Sequence, residues 1–355
     1  MHALDPRPLR LVLLLMALAI LAAFAALPVA AAAARSAADA ASVPAPADAA
    51  YERLVDAAKA VVGVRVRALP DAYSNDTLGQ FRSGSGVLID KDGLVLTIGY
   101  LILEADQIEV TDAAGQTVPA TVVAYDDATG FGLIRPLGPL GVKPIRLGTS
   151  APVTPLERLL IVSGGDQQTI SVASVVGKRE FAGYWEYLID GAIFTTPPRL
   201  VHSGAALINK DGELVGIGSL FVLEAGPPGQ QMPGNMFVPI DLLKPVLDEL
   251  VKTGVQKAAR RPWLGVDSLE EDGRVKVMQV DDSSPASMAG LKAGDIILSV
   301  DGAEVDTLPV FYHQLWQAGP PGTQVRLTVL QGVAVHDVVV NSIDRLQFMR
   351  RKPAV

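Results

Sequence analysis

Gly86-Val-Leu-Ile-Asp-Lys-Asp-Gly-Leu-Val-Leu96 and Ala205-Ala-Leu-Ile-Asn-Lys-Asp-Gly-Glu-Leu-Val215 repeat one pattern, an apolar run, a turn ending in Asp-Gly, and a second apolar run. Asp-Gly between β-branched stretches supplies the left-handed backbone of a tight hairpin, so each copy predicts two paired strands. Two copies of one hairpin predict two barrels of related design. Around them, from Val61 to about Val246, short β-branched runs are cut by Gly, Asp and Pro, which makes this body all-β.

Working outward, Tyr51 to Ala60 reads as a short amphipathic helix and Pro239 to Val251 as a helical stretch. Lys257, Arg260 and Arg261, among small residues, read as part of a solvated linker. A second domain opens at Pro262, with strands at Val275–Val280, Ile296–Val300 and Val325–Leu330 and helices near Ser284–Ala289 and Thr307–Ala318. That mixed order suits a small α/β sandwich, with Leu308, Phe311 and Leu315 at core-facing helical spacing. The resulting division is 1–34, a signal peptide or membrane anchor; 35–60, a linker and short helix; 61–253, the double barrel; 254–261, a linker; 262–345, the second domain; and 346–355, a basic tail.

Arg7 and Arg10 precede an uncharged run, Leu11 to Ala34, that ends in small residues. This is the pattern of an export signal, and the run is also long enough to remain as an anchor, so membrane contact is expected only if it is uncleaved. The body is expected to be exported, periplasmic or otherwise extracytoplasmic. A 355-residue chain with 49% hydrophobic and 19% charged residues can bury substantial cores. Its net charge of −8 lacks any Lys/Arg block for phosphates, which argues against nucleic acid. There is no cysteine, so thiolate catalysis and Cys-based zinc sites are excluded. The acidic group Glu270, Glu271 and Asp272 reads as a hairpin tip, and neither metal nor cofactor is expected.

Gly84-Ser-Gly-Val-Leu-Ile-Asp90, Leu94-Val-Leu-Thr97, Ser203-Gly204 in a turn before a strand, and Arg261-Pro-Trp-Leu-Gly-Val266 together resemble HtrA-type serine proteases. Ser284-Pro-Ala-Ser-Met-Ala-Gly-Leu-Lys-Ala-Gly-Asp-Ile-Ile-Leu298 followed by Asp301-Gly302 resembles their PDZ modules. The resemblance implies a mainly β chain, a trypsin-like double six-stranded β-barrel followed by a PDZ α/β sandwich. It also implies a catalytic His, Asp and Ser, and the chain departs at two of these positions. Tyr100 stands in the histidine segment, Gly130 in the aspartate segment, and Ser203 alone remains in the nucleophile turn. Val201 replaces a glycine of the turn that would form the oxyanion hole, and a β-branched residue resists unusual φ values.

Serine nucleophiles need a base of near-neutral pKa and a group orienting that base. The only histidines are His2, His202, His313 and His336. His2 lies in the leader, His313 and His336 in the second domain, and His202 is bonded to Ser203 itself. Tyr100, with an ordinary pKa near 10, is a poor base at neutral pH. Lys210 is an alternative base, but its Lys-Asp-Gly turn predicts solvation. Asp126 and Asp127 read as turn residues with no histidine to orient. Phe181, Tyr184, Trp185 and Tyr187 either line a cleft between the barrels or pack a loop over it.

The leading expectation is therefore a non-catalytic protein whose PDZ module captures C-terminal peptides or unfolded envelope proteins through Trp263, Leu264, Gly265 and Val266. Their backbone N–H groups are expected to stand open to a terminal carboxylate. The alternatives are a weakly active serine endopeptidase using Ser203 with a non-standard base, and an assembly protein with a closed PDZ groove. A homo-oligomer, a trimer by the resemblance, or an active relative is a further expected partner.

Overall fold

The computed structural model describes residues 46–165, 168–256 and 260–350. The leader and anchor expectation for 1–34, most of the lead-in before the first helix, and the last five residues lie outside them. No helix among the described residues is long and apolar enough to cross a membrane.

The first element, α1 (Pro46–Lys59), begins earlier than the periodicity suggests. Proline is tolerated in a first helical turn, where its missing N–H would have no partner. Leu54, Ala57 and Ala58 recur on one buried face against the first barrel. That barrel comprises β1 (Val61–Ala68), β2 (Phe81–Leu88), β3 (Val95–Ile98), β4 (Ala105–Thr111), β5 (Thr117–Tyr125) and β6 (Phe131–Pro136). They close in the order β1-β2-β3-β6-β5-β4. Val62, Val64, Val95 and Ile134 share its inner face, each fully or almost fully buried.

The second body comprises β7 (Arg146–Leu147), β8 (Arg158–Ser163), β9 (Thr169–Gly183), β10 (Tyr187–Thr196), β11 (Ala206–Ile208), β12 (Glu213–Val222) and β13 (Gly234–Pro239). Six of these form the ring β11-β8-β9-β10-β13-β12, closed by β11 on β12, and β7 lies parallel outside β12. The double six-stranded architecture is therefore present. The repeated hairpins also share their turn chemistry. Asp90 Oδ1 accepts from the N–H groups of Asp92 and Leu94 at 2.9 and 2.8 Å. Asn209 Oδ1 accepts likewise from Asp211 and Glu213 at 3.0 and 2.9 Å.

The expected helix from Pro239 to Val251 is divided into a 3-10 turn at Ile240–Leu242 and α2 (Leu247–Thr253). Pro245 between them has no N–H to continue a helical ladder. The PDZ sheet is β14 (Val266–Glu271), β15 (Arg274–Val280), β16 (Ile296–Val300), β17 (Ala303–Glu304), β18 (Gln324–Gln331) and β19 (Ala334–Asn341). Its order is β14-β15-β16-β18-β19, with β17 on β16, so β14 is an edge strand. Packed on it are α3 (Pro285–Met288) and α4 (Leu308–Gln317), the latter capped by Thr307 Oγ1 accepting from Val310 N–H at 3.4 Å. Leu308, Phe311 and Leu315 are buried as expected, together with Tyr312.

The expectation of a solvated linker is corrected at Arg261. Arg261 at the end of the linker lies over the Trp316 ring, 3.8 Å from its centroid, and Arg260 pairs with Asp344 at 3.2 Å. The basic tail begins within a short helix, α5 (Arg345–Phe348). Phe348 stacks on Tyr73 of the first barrel at 4.4 Å, and Arg350 N–H donates to Glu104 Oε1 at 2.7 Å. Aromatic area and a buried carboxylate hold this segment against the first barrel.

Candidate active site and PDZ groove

The Gly84-Ser-Gly86 segment of β2 lies against the Ser203 turn. Ser85 N–H donates to Ser203 O at 2.8 Å, Thr97 Oγ1 donates to Ser85 O at 2.7 Å, and Gly164 N–H donates to Ser85 Oγ at 2.9 Å. One serine thus ties both barrels to the turn, which explains the motif physically. Val201 is half-exposed, and its carbonyl accepts from Ser163 Oγ.

Tyr100 follows β3 in a 3-10 turn, Gly99–Leu101. Its hydroxyl lies 2.7 Å from Ser203 Oγ and 2.7 Å from Ser219 O. A phenol carries one proton and a carbonyl only accepts, so both bonds form together when Tyr100 donates to Ser219 and the serine hydroxyl donates to Tyr100. Burial pushes the Tyr100 pKa up to about 12, against the opposing bond to Ser203. At pH 7 only about one phenol in 10⁵ would be ionised, too few for a working base.

His202 Nδ1 lies 3.0 Å from Arg199 O and, facing a carbonyl, carries the ring proton. Desolvation lowers its pKa. His313 faces Glu180 at 3.5 Å and His336 sits on β19, both in the PDZ module. Lys210 is exposed in the turn beyond β11.

Gly130 has φ +76°, and a β-carbon there would meet Tyr187 Oη at 2.7 Å. Tyr187 is buried and donates to Thr129 O at 2.7 Å. Trp185 stacks on Tyr187 at 5.3 Å, while Tyr184 meets Trp185 edge-on at 4.7 Å. The aromatic cluster is thus a packing element over the Gly130 position. Asp126 accepts from Thr129 Oγ1 at 2.5 Å. Burial raises its pKa and carries that of Asp127 to about 6.

At the PDZ module, Trp263, Leu264 and Gly265 form the loop before β14, and Val266 opens that strand. Gly265 has φ +83°, and a β-carbon would collide with Ser284 Cβ at 2.3 Å, so the loop needs glycine there. The backbone donors are not open to solvent as expected: Trp263 N–H donates to Ile343 O at 2.9 Å, and the Glu186 carboxylate, from the turn between β9 and β10, covers those of Leu264, Gly265 and Val266. Leu264 N–H lies 3.1 Å from both carboxylate oxygens, and Gly265 and Val266 N–H groups donate to Oε1 at 2.8 and 3.2 Å.

Two family models match, a trypsin-like peptidase domain over residues 84–217 and a PDZ domain over residues 262–341. Serine endoprotease DegS of Haemophilus influenzae is 30% identical over 268 residues, covering 70% of this chain and 74% of that protein. The chain belongs to the HtrA-type serine protease family. Among its HtrA relatives, a probable periplasmic DegP-like serine endoprotease of Halomonas elongata is 27% identical, and the alignment spans 72% of this chain but 55% of that longer protein. Two solved structures share the fold. The HtrA-type protease AlgW with a tripeptide has TM-score 0.51 at 22% identity over 86% of this chain and 98% of that one. A serine endoprotease from Yersinia pestis has TM-score 0.51 at 24% identity over 85% and 99%.

Within this HtrA scaffold the structure brings Tyr100 to Ser203 and assembles Trp263 to Val266 as a loop running into β14, while Gly130 faces Tyr187. Sequence reading does not find Ser219, Tyr187 as the neighbour of Gly130, or Glu186. Glu186 carries one faint signal, a lone carboxylate inside the aromatic run Tyr184-Trp-Glu-Tyr187.

Proposed function

We propose that this chain is an extracytoplasmic pseudoprotease, an HtrA-type scaffold that recognises peptides or partner proteins through its PDZ module without cutting them. The observation that carries this reading is the Tyr100 hydroxyl against Ser203, which leaves the serine proton facing a part-buried neutral phenol. Serine chemistry without its base retains roughly 10³ to 10⁴ over water, and water hydrolyses peptide bonds very slowly. Convergence of three backbone N–H groups on one carboxylate supports the peptide-binding half, since that cluster suits a chain terminus. The periplasmic naming of DegP-like relatives supports export, as does the leader in the sequence.

A weakly active endopeptidase is the second reading, because relatives are named serine endoproteases and Ser203 is only half-buried. The deciding experiment incubates residues 36–355 with unfolded casein beside the Ser203→Ala variant. Both are expected to leave casein at the buffer rate. Cleavage by the parent that disappears in Ser203→Ala would sink the pseudoprotease reading and direct attention to a different base.

A further inference from the structure

We infer that the turn between β9 and β10 is a built-in ligand of the PDZ module, with Glu186 standing in for the terminal carboxylate of a bound peptide. An external partner then gains the groove only by displacing this turn. The inference deepens the peptide-binding reading proposed above and rests on it for the identity of that partner.

Three contacts reproduce what an extended peptide would need. The Glu186 carboxylate takes the N–H groups of Leu264, Gly265 and Val266. Tyr184 O accepts from Ser268 N–H at 2.7 Å, a backbone bond on the open edge of β14. Leu188 is buried with the PDZ core residues rather than with those of its own barrel. Carboxylate capture, strand addition and an apolar anchor are the elements of peptide recognition at a sheet edge. All three come from one seven-residue stretch, 182–188, of a different domain, since Ala182 packs against the same core.

The turn is fastened on its other side by α4. Tyr312 Oη donates to Gly183 O at 2.6 Å and accepts from Glu186 N–H at 3.2 Å. Glu186 itself has φ +56°, a left-handed backbone that a glutamate adopts at a cost. This bend lets a side-chain carboxylate reach the loop while the chain continues into β10. The displacing partner is accordingly a polypeptide with a free terminal carboxylate and an apolar last side chain, to replace Glu186 and Leu188.

The same stretch runs on to Tyr187, whose hydroxyl bonds Thr129 O beside Gly130. Release of the turn would therefore loosen packing at the barrel site as well as at the PDZ groove.

The test uses residues 36–355 as parent, Glu186→Ala and Tyr312→Phe, the latter freeing the turn without altering Glu186. Amide hydrogen exchange is read at Leu264, Gly265 and Val266. Binding is read by fluorescence polarisation with labelled decapeptides randomised at their last three positions, one pool ending in a free carboxylate and one in an amide. Both variants are expected to exchange at least about tenfold faster at these amides and to bind the acid-ended pool about tenfold more tightly, because the binding-competent fraction rises. The amide-ended pool is expected not to bind. Unchanged exchange in both variants overturns the inference, as does faster exchange in variants that bind the acid-ended pool measurably but no more tightly than the parent. Faster exchange with no binding of either pool by any variant supports the internal ligand and overturns the peptide-binding reading instead.

Discussion

The double variant Tyr100→His with Gly130→Asp is expected to lose about 3 kcal/mol of stability and to remain inactive on casein. The two substitutions place a base and an orienting carboxylate where an HtrA-type triad would hold them. The space beside Gly130 is already filled. A new β-carbon would stand 2.7 Å from Tyr187 Oη, and Tyr187 is fixed by its bond to Thr129 and its stack on Trp185. Forcing atoms into such a site costs about 1–3 kcal/mol. The added carboxylate also enters a neighbourhood where burial already raises the pKa values of Asp126 and Asp127. A third acid there is poorly solvated and repelled. Calorimetry should show the thermal transition falling by about 10 °C. Tyr100→His alone, which leaves Gly130 untouched, should unfold close to the parent. A double variant of parental stability that cleaves casein would show that the site tolerates the missing groups.

Docking of the Glu186 turn is expected to weaken by about 3 kcal/mol between pH 4.5 and pH 7 and to change little above that. Burial pushes the Glu186 pKa from 4.5 up to about 7, against the opposing pull of the three backbone donors. A carboxyl that holds its proton more tightly when docked takes up a proton on docking. Its contribution is therefore fully present below pH 4.5 and lost as pH rises through 7, at about 1.4 kcal/mol per unit.

Other groups face the same site. Tyr312 approaches from α4, and its pKa is raised by burial and by Glu186. Asp267 on β14 is raised to about 6, by burial and then by Asp281, which is itself raised; Arg345 from α5 opposes these shifts. The two aspartates titrate with the same sign, so Glu186→Gln should flatten most of the profile rather than abolish it. Amide exchange at Leu264, Gly265 and Val266, corrected for its intrinsic pH dependence, gives the measurement. Protection that is constant from pH 5 to 8 in the parent would disprove the coupling. The midpoint lies near neutrality, where a modest change in proton or peptide concentration can shift the balance between docked and released turns.

Local chemistry in the sequence determined a great deal. The two Asp-Gly hairpins fix their own turns through one Asp and one Asn side chain, and β-branched alternation fixes the strands around them. The PDZ helices were legible because Thr307 and Ser284 cap them and because Leu308, Phe311 and Leu315 share one face. The absence of a histidine between His2 and His202 is likewise a property of the sequence, and by itself it narrows the serine chemistry. What folding alone decided depends on contacts between residues far apart in the chain. Tyr100 meets Ser203 and Ser219 because two barrels close against each other. Tyr187 lies against Gly130 because the β9–β10 hairpin folds back across the first barrel. Glu186 reaches Leu264, Gly265 and Val266 because the same hairpin also spans to the PDZ edge. Period and spacing report which face of an element is apolar. Which distant carboxylate a set of backbone donors will hold is set by how the domains dock, and no local pattern encodes that docking.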